Sequence, residues 1–213
     1  LTFHSNRVFD GSTNNATPTF VNTPKLTPFS PYEREFAYSP SNHGGSINII
    51  NGDNDYLTIP ASSDLQILGG AFTVEGWFYL TQVGLDQAHF FSKGTAPSPN
   101  QREYSFRFRR TDIGMYWSTN GSSGSGPDQV VKATLSNDLR ANEWFHCAIT
   151  MDSSNNVTFY LNGTSVGTGS FSGTYNTSLN GPVTIGRFMD YTGISHDFHG
   201  YISDLRIVKG SVV

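Results

Sequence analysis

From Ser46 onward, apolar and polar residues alternate with a period of two in short runs bounded by Gly, Asn, Asp, Ser or Pro. That pattern marks antiparallel strands with one buried face. It predicts strands at Ser46 to Ile50, Tyr56 to Ile59, Phe72 to Leu80, His89 to Lys93, Tyr104 to Arg109 and Ile113 to Ser118. Further strands are predicted at Val130 to Thr134, Trp144 to Asp152, Val157 to Leu161, Thr164 to Gly169, Pro182 to Arg187 and Phe198 to Val208. Only Ser62 to Leu68 has helical spacing, and it reads as a short connecting turn capped by Ser62 or Ser63. Many short strands with frequent turns imply an all-β sandwich or barrel.

Asn162-Gly163 tolerates positive φ at two consecutive positions and predicts a two-residue type I′ hairpin inside a three-stranded meander over residues 144 to 169. In Phe72 to Phe78, alternation sets Phe72, Val74, Gly76 and Phe78 on one face and Thr73, Glu75 and Trp77 on the other. Trp144 reads as a core anchor, and Cys147, the single cysteine, as a buried and inert thiol. The first 44 residues carry five prolines and little alternation, so they read as an opening strand, Leu1 to Phe3, followed by a long irregular cover.

Length and charge narrow the function. The 213 residues suit one sandwich domain spanning 1–213. Charged residues make up 14% of the chain, well below the usual value of about 25%, so neutral polar groups must cover the surface. A net charge of −4 gives no field for a polyanion, which argues against nucleic acid or an anionic membrane surface as partner. No apolar run is long enough to insert into and span a membrane. One unpaired cysteine leans toward a bacterial, phage or cytoplasm-assembled product. Because the sequence opens on Leu1, it is expected to be processed or a piece of a longer chain.

Several segments appear in a recognisable order: Gly45 to Ile49, Asp53 to Pro60, Phe72 to Phe78, Glu143 to Ile149, Phe159 to Gly163, Ile185 to Arg187 and Phe198 to Ile207. Together they resemble the laminin-G-like branch of the concanavalin A-like lectin/glucanase superfamily, over roughly residues 45 to 210. Their wording is similar to copies in phage and viral structural proteins. The resemblance implies a two-sheet antiparallel jelly roll. It further implies a non-catalytic carbohydrate-binding or adhesion module on a virion or bacterial surface, with a glycan or host-surface receptor and sister subunits as partners. A structural decoration or spacer domain and a glycan hydrolase stay open as alternatives.

The hydrolase reading needs two carboxylates facing one groove about 5 Å apart. Glu75 stands alone among Phe, Val, Gly and Trp, and the other glutamates (Glu33, Glu35, Glu103 and Glu143) do not pair with an Asp at strand spacing. His146 and Cys147 point to opposite faces of one strand and cannot form a dyad. Calcium is the expected cofactor, since relatives hold it on rim loops and hard oxygens are plentiful here. Asp53 and Asp55, with Asn54, form one oxygen-rich turn, and Asp190 and Asp197 flank another. Glycan binding needs flat rings and polar groups at strand ends. Trp117, Tyr175 and Tyr191 supply the rings, and Asn120, Arg187 and His196 the polar groups. Arg107 and Arg109 alternate with Phe106 and Phe108 and form a basic stripe able to meet an acidic glycan.

Overall fold

The computed structural model describes residues 2–4, 7–32, 45–50, 54–82, 87–94, 102–119, 128–176, 181–188 and 197–213. In chain order the strands are β1 (Thr2–His4), β2 (Arg7–Phe9), β3 (Thr19–Val21), β4 (Lys25–Thr27), β5 (Ser46–Ile49), β6 (Tyr56–Ile59), β7 (Phe72–Leu80) and β8 (Ala88–Gly94). They continue as β9 (Arg102–Arg109), β10 (Asp112–Ser118), β11 (Asp128–Thr134), β12 (Trp144–Met151), β13 (Asn156–Leu161), β14 (Thr164–Ser170), β15 (Val183–Ile185) and β16 (Gly200–Lys209). Ser62 caps a single 3₁₀ turn, Ser63–Leu65, by accepting the Asp64 N–H at 3.1 Å. Among the described residues, β1 pairs with β2, and two seven-stranded antiparallel sheets run β11-β10-β9-β8-β15-β6-β3 and β14-β13-β12-β7-β16-β5-β4. This is the jelly-roll sandwich that the sequence predicts.

The two inner faces meet through aromatic rings. Phe72, Val74 and Phe78 of β7 oppose Phe90, Phe106, Phe108 and Met115 of the other sheet, and the Phe78 ring lies 4.7 Å from Phe90 and 4.9 Å from Phe108. Each such side chain withdrawn from water stabilises the fold by about 1.5–3 kcal/mol. One side of the sandwich closes where β14 rests on β11. There a Cβ on Gly167 would meet the Ala133 Cβ at 2.6 Å, so glycine allows the close approach. The predicted hairpin is present, with Asn162 at φ 49° and Gly163 at φ 77°.

Three expectations need correction. The supposed irregular cover contains β2, β3 and β4, and the last two extend one sheet each. They are three residues long and rich in Thr and Pro neighbours, too short to show alternation. Thr73 lies on the outward side of β7 as predicted yet is fully buried, because the C-terminal tail crosses it: its hydroxyl donates to Ser211 O at 3.3 Å and accepts the Val213 N–H at 3.2 Å. Trp144 is half-buried on the outer face of its sheet and does not enter the core.

Candidate functional site

The outer face of the first sheet is built from the positions that alternate with core aromatics. In β9, Tyr104, Phe106 and Phe108 point inward, which turns Ser105 and Arg107 outward; in β10, Ile113, Met115 and Trp117 point inward and Tyr116 outward. Strand register then aligns these residues into rows. Tyr116, Ser105, Ser92, Thr184, Thr58 and Thr19 lie directly opposite one another across six strands and form a row of hydroxyls. A second row runs Lys132, Gly114, Arg107 and His89, and an isolated parallel bridge continues it to Asp197.

Most of these groups are buried although they face away from the core. Ser92, Ser105, Thr184, Arg107, His89 and Asp197 are each no more than 3% exposed. The Arg107 guanidinium lies 3.8 Å above the Tyr116 ring, and Tyr116 leans over Gly114, where a Cβ would come within 2.9 Å of it. The His89 ring stacks on Phe188 at 4.1 Å. The Ser92 and Thr184 hydroxyls lie 2.8 Å apart and 2.8 and 2.9 Å from Arg187 O; with one proton each they make two of these three hydrogen bonds at a time, which pins the turn through Gly186. That turn sets Arg187 at the rim, its guanidinium 5.2 Å from the Tyr56 ring centre and donating to Asn54 Oδ1 at 3.1 Å.

Among the described residues, the face also holds hydrogen-bonding capacity left without a partner. The Ser105 hydroxyl is buried with no hydrogen-bond partner among those residues, and the buried Asp197 carboxyl has only the Phe188 N–H and the Arg187 guanidinium beside it. Burial pushes the Asp197 carboxyl up to about 6, while Arg187 and the Phe188 N–H pull the other way; the Arg187 Nε stands 3.9 Å from Asp197 Oδ1. An under-satisfied buried carboxylate costs stability and waits for a donor.

Of the residues predicted from sequence, Arg187 and Asp197 meet at this rim. Trp117 does not: it is 1% exposed and packs on Phe171 at 4.4 Å, so its expected stacking role is corrected to a core role. Tyr175 is half-buried against the core with its hydroxyl over Gly69. Asp55 is 1% exposed and accepts the Thr23 N–H at 2.8 Å and hydroxyl at 3.2 Å, so it fastens the turn between β3 and β4. Asp53, Asn120, Asp190, Tyr191 and His196 lie outside the described residues. Among the described residues no three acidic, imidazole or thiol groups converge on one point, and the cation Arg187 stands beside Asp197. Those residues alone do not fit a calcium ion. The sequence reading missed His89, Ser105 and Thr184, although the alternation of Ser105 and Arg107 with three core aromatics carries the signal.

The isolated Glu75 occupies the outer face of the second sheet. Arg206 clamps it through Nε at 2.5 Å and again through Nη2, and His146 Nε2 lies 3.7 Å away. Burial holds the His146 pKa below its ordinary value, with Glu75 raising it and Arg206 lowering it, so the imidazole is neutral at pH 7. Cys147 on the same strand points inward, and burial pushes its thiol far up. No helix among the described residues is long and apolar enough to cross a membrane.

Several solved structures share this fold. A botulinum neurotoxin type C structure, whose title ties cell entry to two ganglioside molecules, aligns with 100% of this chain and 48% of its own at 14% identity and a TM-score of 0.65. The binding domain of Paraclostridial Mosquitocidal Protein 1 aligns with 100% of this chain and 48% of its own at 14% identity and a TM-score of 0.68. Domain 4 of AbnA, an extracellular GH43 arabinanase from Geobacillus stearothermophilus solved with arabinotriose, aligns over 96% of this chain and 87% of its own at 17% identity and a TM-score of 0.63. This chain thus spans about half the length of the toxin structures. No curated protein matches it significantly. The family model described as Concanavalin A-like lectin/glucanases superfamily, Laminin_G_3, matches residues 51–212, and the chain belongs to that family.

Proposed function

We propose that this chain is a non-catalytic carbohydrate-binding module of a surface structural protein, on a virion or a bacterium, that meets a glycan or host-surface receptor and is carried among sister subunits. The observation that supports it most is the outer face of the first sheet, where Ser105 and Asp197 keep buried hydrogen-bonding capacity beside Arg107, His89 and Arg187. Sugars present dense hydroxyls; Arg187, with 17% of its side chain exposed at the rim, is the group a sugar meets first, and the buried donors and acceptors behind it come into play as the ring reaches them. The fold likeness to a domain solved with arabinotriose and to toxin binding domains points the same way. Glu75 serves an ion pair with Arg206, and its imidazole neighbour is neutral, which favours binding over hydrolysis.

Glycan-array screening followed by calorimetry tests the proposal. Arg107→Ala and Asp197→Asn should each weaken the best glycan by about tenfold or more, the size expected when a buried partner of a hydrogen-bonded ligand is removed. Absence of any bound glycan, or variants that bind like the parent, would leave the spacer reading. Calcium belongs to the proposal through Asp53 and Asp190. A melting temperature that rises with added calcium and falls on chelation would bring it in.

A further inference from the structure

The outer face of the second sheet repeats the row arrangement with different chemistry. Trp144, Tyr79 and Tyr201 lie directly opposite one another on β12, β7 and β16, with ring centres 5.5 and 5.6 Å apart between neighbours. The next row sets His146 against Trp77, at 5.3 Å, and the row beyond it holds Glu75 with Arg206. All four aromatic rings are half-buried. The Trp144 indole N–H is buried with no acceptor among the described residues.

One ring from elsewhere in the chain occupies this platform. Phe29 sits 4.8 Å from Tyr79, 5.2 Å from Trp144 and 4.8 Å from Tyr201, yet stays 38% exposed. Tyr32 follows at 6.0 Å from Trp77 and is 53% exposed. The segment that carries them belongs to no strand. Pro28 and Pro31 remove the N–H donors that a ladder would need. The segment is held by Ser46 Oγ donating to Phe29 O at 2.6 Å and by Tyr32 Oη donating to Asp204 Oδ2 at 3.0 Å. Burial and the Asp204 carboxylate push the Tyr32 phenol up to about 12, so it remains a donor at neutral pH.

Two features mark the covered surface as more than packing. A contiguous row of indole and phenol rings on an outer face presents flat surfaces to the C–H face of a pyranose. Beside it stand a carboxylate, a guanidinium and an indole N–H that has no acceptor among the described residues, which are the groups that orient hydroxyls. We propose that Trp144, Tyr79, Tyr201 and Trp77 form a second site, which stacks a neutral pyranose, and that the Phe29 to Tyr32 segment is a strap that fills it until a sugar ring displaces Phe29. The strap lowers apparent affinity by the fraction of molecules in which it is open, so loosening it tightens binding.

The test uses the full chain in an Arg107→Ala background, so that the first face does not contribute and its failure is read separately. Cello-, xylo- and manno-hexaose are titrated by calorimetry and by tryptophan fluorescence. Tyr32→Phe, which removes one strap hydrogen bond and keeps the ring, should tighten at least one of them by about fivefold, and Phe29→Ala by more. Adding Trp144→Ala should abolish the gain. Failure of both strap variants to tighten any sugar, or a gain that survives Trp144→Ala, would overturn the proposal; should Phe29→Ala unfold, Tyr32→Phe alone decides. Preference for a phenylalanine-containing peptide over every sugar would also overturn it.

Discussion

Both sheets turn their inward positions into one shared aromatic core, but their outward positions differ. On the first sheet the outward rows are hydroxyls and ions, buried and, among the described residues, in part unsatisfied; on the second they are half-buried aromatic rings covered by Phe29. The difference follows from what each face needs. Hydroxyls and charges withdrawn from water cost free energy until each finds a partner, which is why the first face carries the proposed polar site. Aromatic rings gain free energy from any apolar cover, so the second face recruits part of its own chain. Cross-strand register produces both, because residues opposite one another stand within reach on the same face.

The largest expected effect marks the border between core and site. Trp117→Ala should destabilise the fold by about 3–5 kcal/mol in urea titrations, since the indole fills the interior against Phe171. A loss under about 1 kcal/mol would return Trp117 to the surface and blur the contrast between inner and outer positions.

Asp197→Asn should move stability in the opposite direction. The Asp197 carboxyl titrates near 6 in the folded chain, above its ordinary value, so folding favours the protonated form. Its contribution is therefore favourable at low pH and is lost as pH rises from about 4 through about 6. At pH 7 the ionised carboxylate costs on the order of 1–3 kcal/mol, and the amide should recover part of that and flatten the stability curve over the same window. Melting curves between pH 4 and 8 check it. Greater stability together with weaker glycan binding is the signature of a binding residue. Lower stability with an unchanged pH profile would make Asp197 a structural partner of Arg187 and remove the tension from the first face.

Much of the fold was legible because strand periodicity is a local property. The run Phe72 to Leu80 separates inward from outward residues without any knowledge of its neighbours, and Asn162-Gly163 specifies its own hairpin. The strands Thr19–Val21 and Lys25–Thr27 were illegible because three residues cannot display a period. The site was harder to read for a different reason. Ser105, Ser92 and Thr184 are separated in sequence and become one row only through register, which no single segment encodes. Trp117 misled the reading because proximity to a loop in sequence does not say which face a strand residue takes. Arg187 and Asp197 were singled out because turn-rich loops advertise polar groups, and the structure brings the two together.

Within the hydroxyl row, the contrast sharpens to single atoms. Thr184→Val removes a hydroxyl that bonds Ser92 and Arg187 O, and it should cost about 1–2 kcal/mol. Ser105→Ala removes one with no partner among the described residues, and it should change stability by less than about 0.5 kcal/mol or raise it. Equal losses at the two positions would show that Ser105 is satisfied in solution.

A similarly small effect belongs to Glu75→Gln on the second face. Glu75 is 17% exposed on its side chain and its partner Arg206 is 56% exposed, so solvent screens most of their attraction. An ion pair of that exposure contributes about 1 kcal/mol or less and fades with salt. The substitution should therefore lower stability by no more than that at low ionic strength, with the difference disappearing near 1 M salt, where the screening length is about 3 Å. His146 adds little, since burial keeps it neutral at pH 7. A loss several times larger, insensitive to salt, would mean that the pair is effectively desolvated beneath the strap. The second face would then share the first one's dependence on buried charge, and the distinction between the two would rest on the aromatic row alone.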